Sequence, residues 1–296
     1  MKNLKFGSLK KNSLYILLLI VSAAVVSCKK EYSLENGGNV NNPLIVGANC
    51  RISQIAYYDS ASGVPLGSIA ANINSTDTST SITQFDSLAF TILFYTPINY
   101  TPDTIHINTD EYFVTDPAGG GRIKQLHGLT DPTDPFSPQF DADYAYDASN
   151  NLISKTYSFT GSPSFPYYEV DYSYAGNNLV RMTGTDVFTG DLVVDADLGY
   201  YSNILPKNFI YLFPDELAYP QYNQFFNFGK RPSNAVKNLK IHYYDPGNVV
   251  RDSAVSSFNT YILSRDHYVL SVNMIGNDQP SIPVQVGKLT FSYKCK

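Results

Sequence analysis

The residues with reactive or metal-ligating side chains are few, and their spacing is poor for chemistry. The four histidines, His106, His127, His242 and His267, stand far apart. None falls in a His-x-His or His-Glu-x-x-His pattern, so no local zinc ligand set exists. There is no Gly-x-Ser-x-Gly elbow, no phosphate-cradling glycine loop and no Cys-x-x-Cys pair. Ser264, Asp266 and His267 form the nearest grouping of nucleophile and base. Strand alternation would place Asp266 and His267 on opposite faces, so no catalytic residue is assigned.

Two acidic clusters invite a metal reading. Asp141 and Asp143, with Asp147 at the same parity, and Asp195 with Asp197 could each turn carboxylates to one strand face, as Ca²⁺ prefers. No Asp-x-Asp-x-Asp-Gly loop completes either cluster. A solvated strand edge that resists edge-to-edge pairing is the simpler reading, and no cofactor is assigned.

The three cysteines carry the address and the covalent chemistry. Lys2, Lys5, Lys10 and Lys11 precede the apolar run from Leu14 to Val26, which is too short to span a bilayer and has the form of a secretory signal over residues 1–27. The run closes in Val25-Val26-Ser27-Cys28, which resembles the lipobox of bacterial lipoproteins. That resemblance implies lipidation of Cys28, with several acyl chains anchoring the protein at about 0.8 kcal/mol per buried methylene. Residues 28–48 are polar and contain glycine, and read as a flexible tether reaching on the order of 25 Å. In an oxidising envelope Cys50 and Cys295 form either a disulfide or two thiols, because connectivity is not written in sequence.

The elements around these residues are strands. Only five of the 26 acids are glutamate, and Asn, Ser, Thr, Tyr and Phe dominate over helix formers. One unit occurs twice. Tyr144-Ala145-Tyr146-Asp147 leads through Asn150-Asn151 to Leu152-Ile153, and Tyr172-Ser173-Tyr174 leads through Gly176-Asn177-Asn178 to Leu179-Val180. Each is an aromatic pair at strand spacing, a turn, and an apolar run, which is a β-hairpin. Asp147 can accept hydrogen bonds from its own turn, and Asn or Gly tolerates positive φ there. A third copy runs from Ile241 to Arg251 with Asp245 and Asn248 in its turn. A period of 27–28 residues marks a repeated unit that buries its face on its neighbour.

These features predict a single all-β domain over residues 49–296, an antiparallel meander built from repeated hairpins. One stretch breaks the pattern. Around residues 199–236 aromatics cluster without alternation between prolines, as an irregular excursion with one or two helical turns laid over the sheet.

The Tyr-x-Tyr-Asp-x-x-Asn-Asn-Leu units resemble YD, or Rhs-like, repeats. The sequence of lipobox, tether and repeated hairpins resembles the sheet-rich lipoproteins of Bacteroidota. The resemblance implies a fold and an address in the cell envelope, at the outer membrane on its periplasmic or surface face. It supplies no catalytic residue. Cys28-Lys29-Lys30-Glu31 resembles in part the surface-export tag of such lipoproteins, which carries two acids where this chain has one. Removal of the signal takes net charge from −5 to −9, against a nucleic-acid partner. The expected role is non-enzymatic binding or structure, toward a protein or glycan partner, with an envelope hydrolase as the alternative. The 24 tyrosines could stack on sugars, although no tryptophan is present.

Overall fold

In a computed structural model the described residues belong to one compact unit, Pro43–Lys296. The structure describes residues 49–59, 62–74, 78–130, 137–160, 165–213, 222–276 and 287–295, all in that unit. The signal, Cys28 and the tether lie outside the described residues.

Seventeen strands account for most of these residues. The first group is β1 (Cys50–Tyr58), β2 (Pro65–Ile73), β3 (Ser79–Asp86), β4 (Thr91–Pro97), β5 (Asn99–Tyr100), β6 (Thr104–His106), β7 (Tyr112–Asp116) and β8 (Arg122–Leu129). The second is β9 (Gln139–Tyr146), β10 (Leu152–Phe159), β11 (Phe165–Ala175), β12 (Asn178–Asp186) and β13 (Leu192–Tyr200). The chain ends with β14 (Val236–Asp245), β15 (Val249–Leu263), β16 (Val269–Gly276) and β17 (Gly287–Cys295).

Each strand pairs antiparallel with the next, except at one step, and β17 returns to β1 with Cys295 opposite Cys50. The exception is β4 and β5, which only Ile98 separates. The Ile98 amide continues the β3 ladder by bonding the Thr80 carbonyl at 2.9 Å, after which β5 pairs forward with β6. Counted as one bent stave, β4 and β5 make a closed ring of sixteen. An even number is what an up-and-down ring needs if its first and last strands are to run antiparallel.

On several strands apolar side chains line the ring and polar ones face out. On β9, Phe140, Ala142 and Tyr144 are buried while Asp141 and Asp143 face out. Tyr168, Val170 and Tyr172 of β11 are buried between Glu169, Asp171 and Ser173. On β14, Leu239 and Ile241 are buried and Lys240 is exposed.

A sheet of this size would otherwise enclose water. The described residues between β13 and β14, 201–213 and 222–235, enter the ring instead. Phe209, Ile210, Tyr211, Leu212, Phe213, Phe225, Phe226 and Phe228 are each buried to within 5% exposure. Their rings meet side chains from strands all round the barrel: Phe213 meets Tyr172, Phe228 meets Tyr144 and Phe113, and Phe209 meets Tyr261 and Phe291. Each such aromatic pair is worth about 0.5–1.5 kcal/mol beyond area burial. The excursion is therefore a plug within the ring and not a layer over a sheet. Its one regular feature among the described residues is a single turn, where the Phe225 and Phe226 amides bond the Tyr222 carbonyl at 3.0 and 3.3 Å.

Alternation of strand direction sorts the turns between two ends. The turns at 101–103, 117–121, 147–151, 176–177 and 264–268 share one end with Asn49 and Cys295, and this is the end at which the plug enters. The turns at 87–90, 107–111, 187–191 and 246–248 share the other. Exposed large apolar side chains gather at that second end, among them Leu88, Phe90, Phe165, Phe188 and Val249.

Candidate functional site

The plug end is held by turns, tyrosines and cations. In the first repeat turn Asn150 stands at φ 67°, accepts from Arg122 Nη1 through its Oδ1 at 2.7 Å, and receives the Lys230 amide on its carbonyl at 2.7 Å. Asp147 accepts from the Asn151 amide and side chain at 2.8 Å each, and the Asn151 side chain is the main cause that holds this carboxyl below its ordinary range. In the second turn Asn177 Nδ2 donates to Ser233 Oγ at 3.0 Å, and Asn178 grips both Ser233 and Asn234. Asp245 and Asn248 belong to the opposite end. There Asn248, at φ 62°, accepts the Leu192 amide at 2.7 Å and has no part in holding the plug.

Tyrosines near the same mouth repeat one device. Tyr146, Tyr200, Tyr261 and Tyr293 each donate a hydroxyl hydrogen to a main-chain carbonyl near the start of the preceding strand: Ile123, Leu179, Val236 and Val269, at 2.6–2.9 Å. Burial pushes the hydroxyls of all four well above the ordinary tyrosine range.

Beneath this rim lies a cavity of about 620 Å³, floored by the base of the plug and walled by the start of β1. Arg51, Lys230 and Arg231 line it, and none of the described residues lining it is acidic. Arg231 donates to the Phe209 and Gln224 carbonyls, and its guanidinium carbon lies 4.1 Å from the centre of the Tyr211 ring. Arg51 donates to Ser79 Oγ at 2.7 Å and to the Phe225 carbonyl at 2.6 Å. Burial draws Arg231 below its ordinary range, and the like charge of Arg51 acts in the same direction. Asn49, Asn208, Gln224, Asn227 and Ser233 add amides and a hydroxyl to the wall.

The residues considered for chemistry in the sequence fall elsewhere. Ser264 and His267 are not on a strand: they sit in the turn between β15 and β16, where the His267 amide bonds the Ser264 carbonyl and Ser264 Oγ accepts the Tyr268 amide, both at 3.0 Å. The tight turn, with His267 at φ 67°, replaces the strand alternation assumed for them. Asp141 and Asp143 point outward and meet neighbouring strands, Asp141 bonding His127 Nδ1 at 2.7 Å and Asp143 accepting from Gln125 at 2.9 Å. Burial is the first cause that raises Asp143 above its ordinary range. Asp195 bonds His242 Nδ1 at 2.8 Å and Arg181 at 3.4 Å, and Asp197 lies in register with Arg181 and Lys240. Among the described residues no group of three His, Cys, Asp or Glu side chains could hold a metal ion.

Cys50 and Cys295 are joined by a disulfide across the strand pair that closes the ring, with Cα atoms 3.9 Å apart. The cationic cavity was not singled out from the sequence. Its signal was there: Gly229-Lys230-Arg231-Pro232 sets two adjacent cations at the end of an aromatic stretch in an acidic protein.

No protein-family model matches the chain, and no curated protein matches it either. Among solved structures, a porin-like protein from Bacteroides uniformis aligns at 12% identity with a TM-score of 0.54, over 82% of this chain and 98% of that one. A porin-like protein from Bacteroides vulgatus aligns at 12% identity with a TM-score of 0.49, over 83% and 99%. The structure described as TcdB2-TccC3-TEV aligns at 9% identity with a TM-score of 0.25, over 81% of this chain and 14% of that one. The first of these likenesses places the described strands in a fold shared with a Bacteroides porin-like protein.

Proposed function

We propose that the protein is held at the cell envelope by acyl chains on Cys28 and acts there as a non-enzymatic binding module, its barrel standing in solvent instead of spanning the bilayer. One observation carries this reading: the direction of the side chains on the strands. A membrane-spanning barrel turns an apolar band to lipid and polar groups to its lumen. Here Asp143, Glu169, Asp171, Arg181 and Lys240 face out, while Phe140, Tyr144, Tyr172 and Ile241 pack inward. Such a surface needs separate means to stay at a membrane, and the lipobox ending at Cys28 would supply it. The Bacteroides structure named porin-like supports an envelope setting, at the outer membrane. It also fits the sheet-rich Bacteroidota family that the YD-like units resemble. The plug fills the lumen with aromatic side chains, which favours binding at the mouth over conduction through it.

Hydrolysis is supported less well. It would need carboxylates converging on a substrate, whereas Asp141, Asp143 and Asp195 face outward and bond to side chains of adjacent strands.

Fractionation of cells tests the reading. The wild type is expected in the membrane fraction and Cys28→Ala in the soluble fraction. Retention of Cys28→Ala in membranes after an alkaline carbonate wash would overturn the anchored module in favour of a spanning barrel. Protease shaving of intact cells then assigns the periplasmic or outer face.

A further inference from the structure

We propose that the open edge of β4 pairs antiparallel with the β4 edge of a second copy of this chain, joining two β3–β4 hairpins into one four-stranded sheet across a two-fold axis. The inference rests on main-chain pairing and goes beyond the binding role given above.

The edge arises beside the point where the ring passes from β5 to β6. These two strands share the pairs Asn99 with His106 and Tyr100 with Ile105, after which the chain turns at residues 107–111. β4 runs on without β6 beside it, paired along one side with β3 from Pro97 opposite Ser81 to Thr91 opposite Asp86. Among the described residues no strand pairs with its other side. The strand is nonetheless held firmly. Thr96 Oγ1 and the Tyr222 hydroxyl are hydrogen bonded at 3.0 Å, and the Phe94 ring meets Tyr222 edge-on.

Composition sets this edge apart. Open edges are ordinarily guarded, above all by charged side chains. The β14–β15 hairpin also outruns its neighbour, since residues 249–255 of β15 pair with β14 and not with β16, and there Arg251 and Asp252 stand exposed. β4 has a bulge at Leu93 and Pro97 at its base, but no charge. Ile92, Leu93 and Tyr95 are 54–61% exposed, and the hairpin tip adds Leu88 and Phe90. From Thr78 to Pro102 the one charged residue is Asp86, whose carboxylate accepts the Leu88 and Ala89 amides.

These properties select the occupant. A bilayer would take up the side chains but leave the edge amides and carbonyls without partners, which hydrocarbon does not tolerate. A strand satisfies both. The β4 of a second copy is already ordered, so pairing sacrifices little conformational freedom, and one two-fold contact closes two edges. Its lack of charge lets two copies of a chain of net charge −5 meet there without opposing like charges.

Sedimentation equilibrium of the purified full chain, with detergent in large excess over protein, is expected to give two copies per particle. Ile92→Lys combined with Tyr95→Lys should raise the dissociation constant at least tenfold. Both side chains are more than half exposed, so the fold should persist, as an unchanged circular dichroism spectrum would check. Single cysteines at Thr91, Ile92, Leu93 and Tyr95, each in the Cys28→Ala background, give a second readout. A residue faces its own copy near the two-fold axis, and each two residues away from it separate such a pair by about 13 Å more, beyond the reach of a disulfide. Oxidative cross-linking should therefore be strong at one or two of these positions and absent at the others, and absent for Ser253→Cys on the charged β15 edge. Even yields at all four positions, or an equal yield for Ser253→Cys, would overturn the pairing. So would a wild type that sediments as single copies, or a dimer that the two lysines do not weaken. Flotation of Cys28→Ala with phosphatidylethanolamine vesicles, abolished by the two lysines, would assign the hairpin to lipid instead and overturn the proposal.

Discussion

Asn178 and Asn234 form a reciprocal pair across 56 residues of sequence: Asn178 Oδ1 accepts the Asn234 amide at 3.0 Å, and Asn178 Nδ2 donates to Asn234 Oδ1 at 2.9 Å. The same Oδ1 accepts the Ser233 amide at 3.0 Å. One side-chain amide of a repeat turn thus ties down the last residues of the plug. Asn178→Ala should therefore cost about 2–3 kcal/mol, at roughly 1 kcal/mol per hydrogen bond lost. Hydrogen exchange at the Ser233 and Asn234 amides should quicken with it. Asn248→Ala, at the opposite end, should leave exchange at those two amides unchanged.

The mouth tyrosines predict alkaline behaviour. Burial raises the hydroxyls of Tyr146, Tyr200, Tyr261 and Tyr293 in the folded protein, so they stay protonated there after the unfolded chain has begun to ionise. Their contribution to stability is complete below the ordinary tyrosine value of about 10 and is lost as pH rises above it. Absorbance near 295 nm should show a set of tyrosines that ionises only together with unfolding. Tyr261→Phe should remove one group from that set and make the alkaline loss of stability less steep.

Phe228 and Gly229 fix the path of the plug where it returns to the mouth. Phe228 packs against Phe113, Tyr144 and Tyr211, and Phe228→Ala should cost about 3–5 kcal/mol through the cavity it leaves. Gly229 has φ 84°, and a Cβ there would lie 2.5 Å from the Asn150 carbonyl oxygen. Gly229→Ala should destabilise by at least about 1–3 kcal/mol from the backbone conformation alone. Thermal unfolding of both variants, with Lys230→Ala as a neighbouring control, measures these effects.

The disulfide closes the ring between its first and last strands. Paired Cys50→Ser and Cys295→Ser replacements free a loop of 245 residues and should lower stability by up to about 5 kcal/mol in the loop-entropy model. Denaturant unfolding of the wild type, with and without reductant, should show the same loss in the reduced protein and none in the double variant.

Much of the fold was legible because its rules are local. Alternation of Phe140, Ala142 and Tyr144 with Asp141 and Asp143 writes a strand with one buried face, and turn residues such as Asp147, Asn150 and Gly176 write the reversals. Enough such hairpins in tandem make an antiparallel meander. Closure was not legible. It depends on β17 meeting β1, and on Ile98 letting one stave pass from β3 to β6, which are contacts between residues far apart or at an irregular step. The aromatic stretch could be recognised as irregular, but its position inside the ring could not, because a run such as Phe209–Phe213 states that it must be buried and not against what. The site was hidden for the same reason: Arg51 and Arg231 lie 180 residues apart, and only the return of the plug to the start of β1 brings their charges to one cavity. The sequence by itself determined strands, turns and the polar outer face, which follow from each residue and its near neighbours. The tertiary structure decided the ring, the plug and the cationic mouth, which exist only once distant segments share one interior.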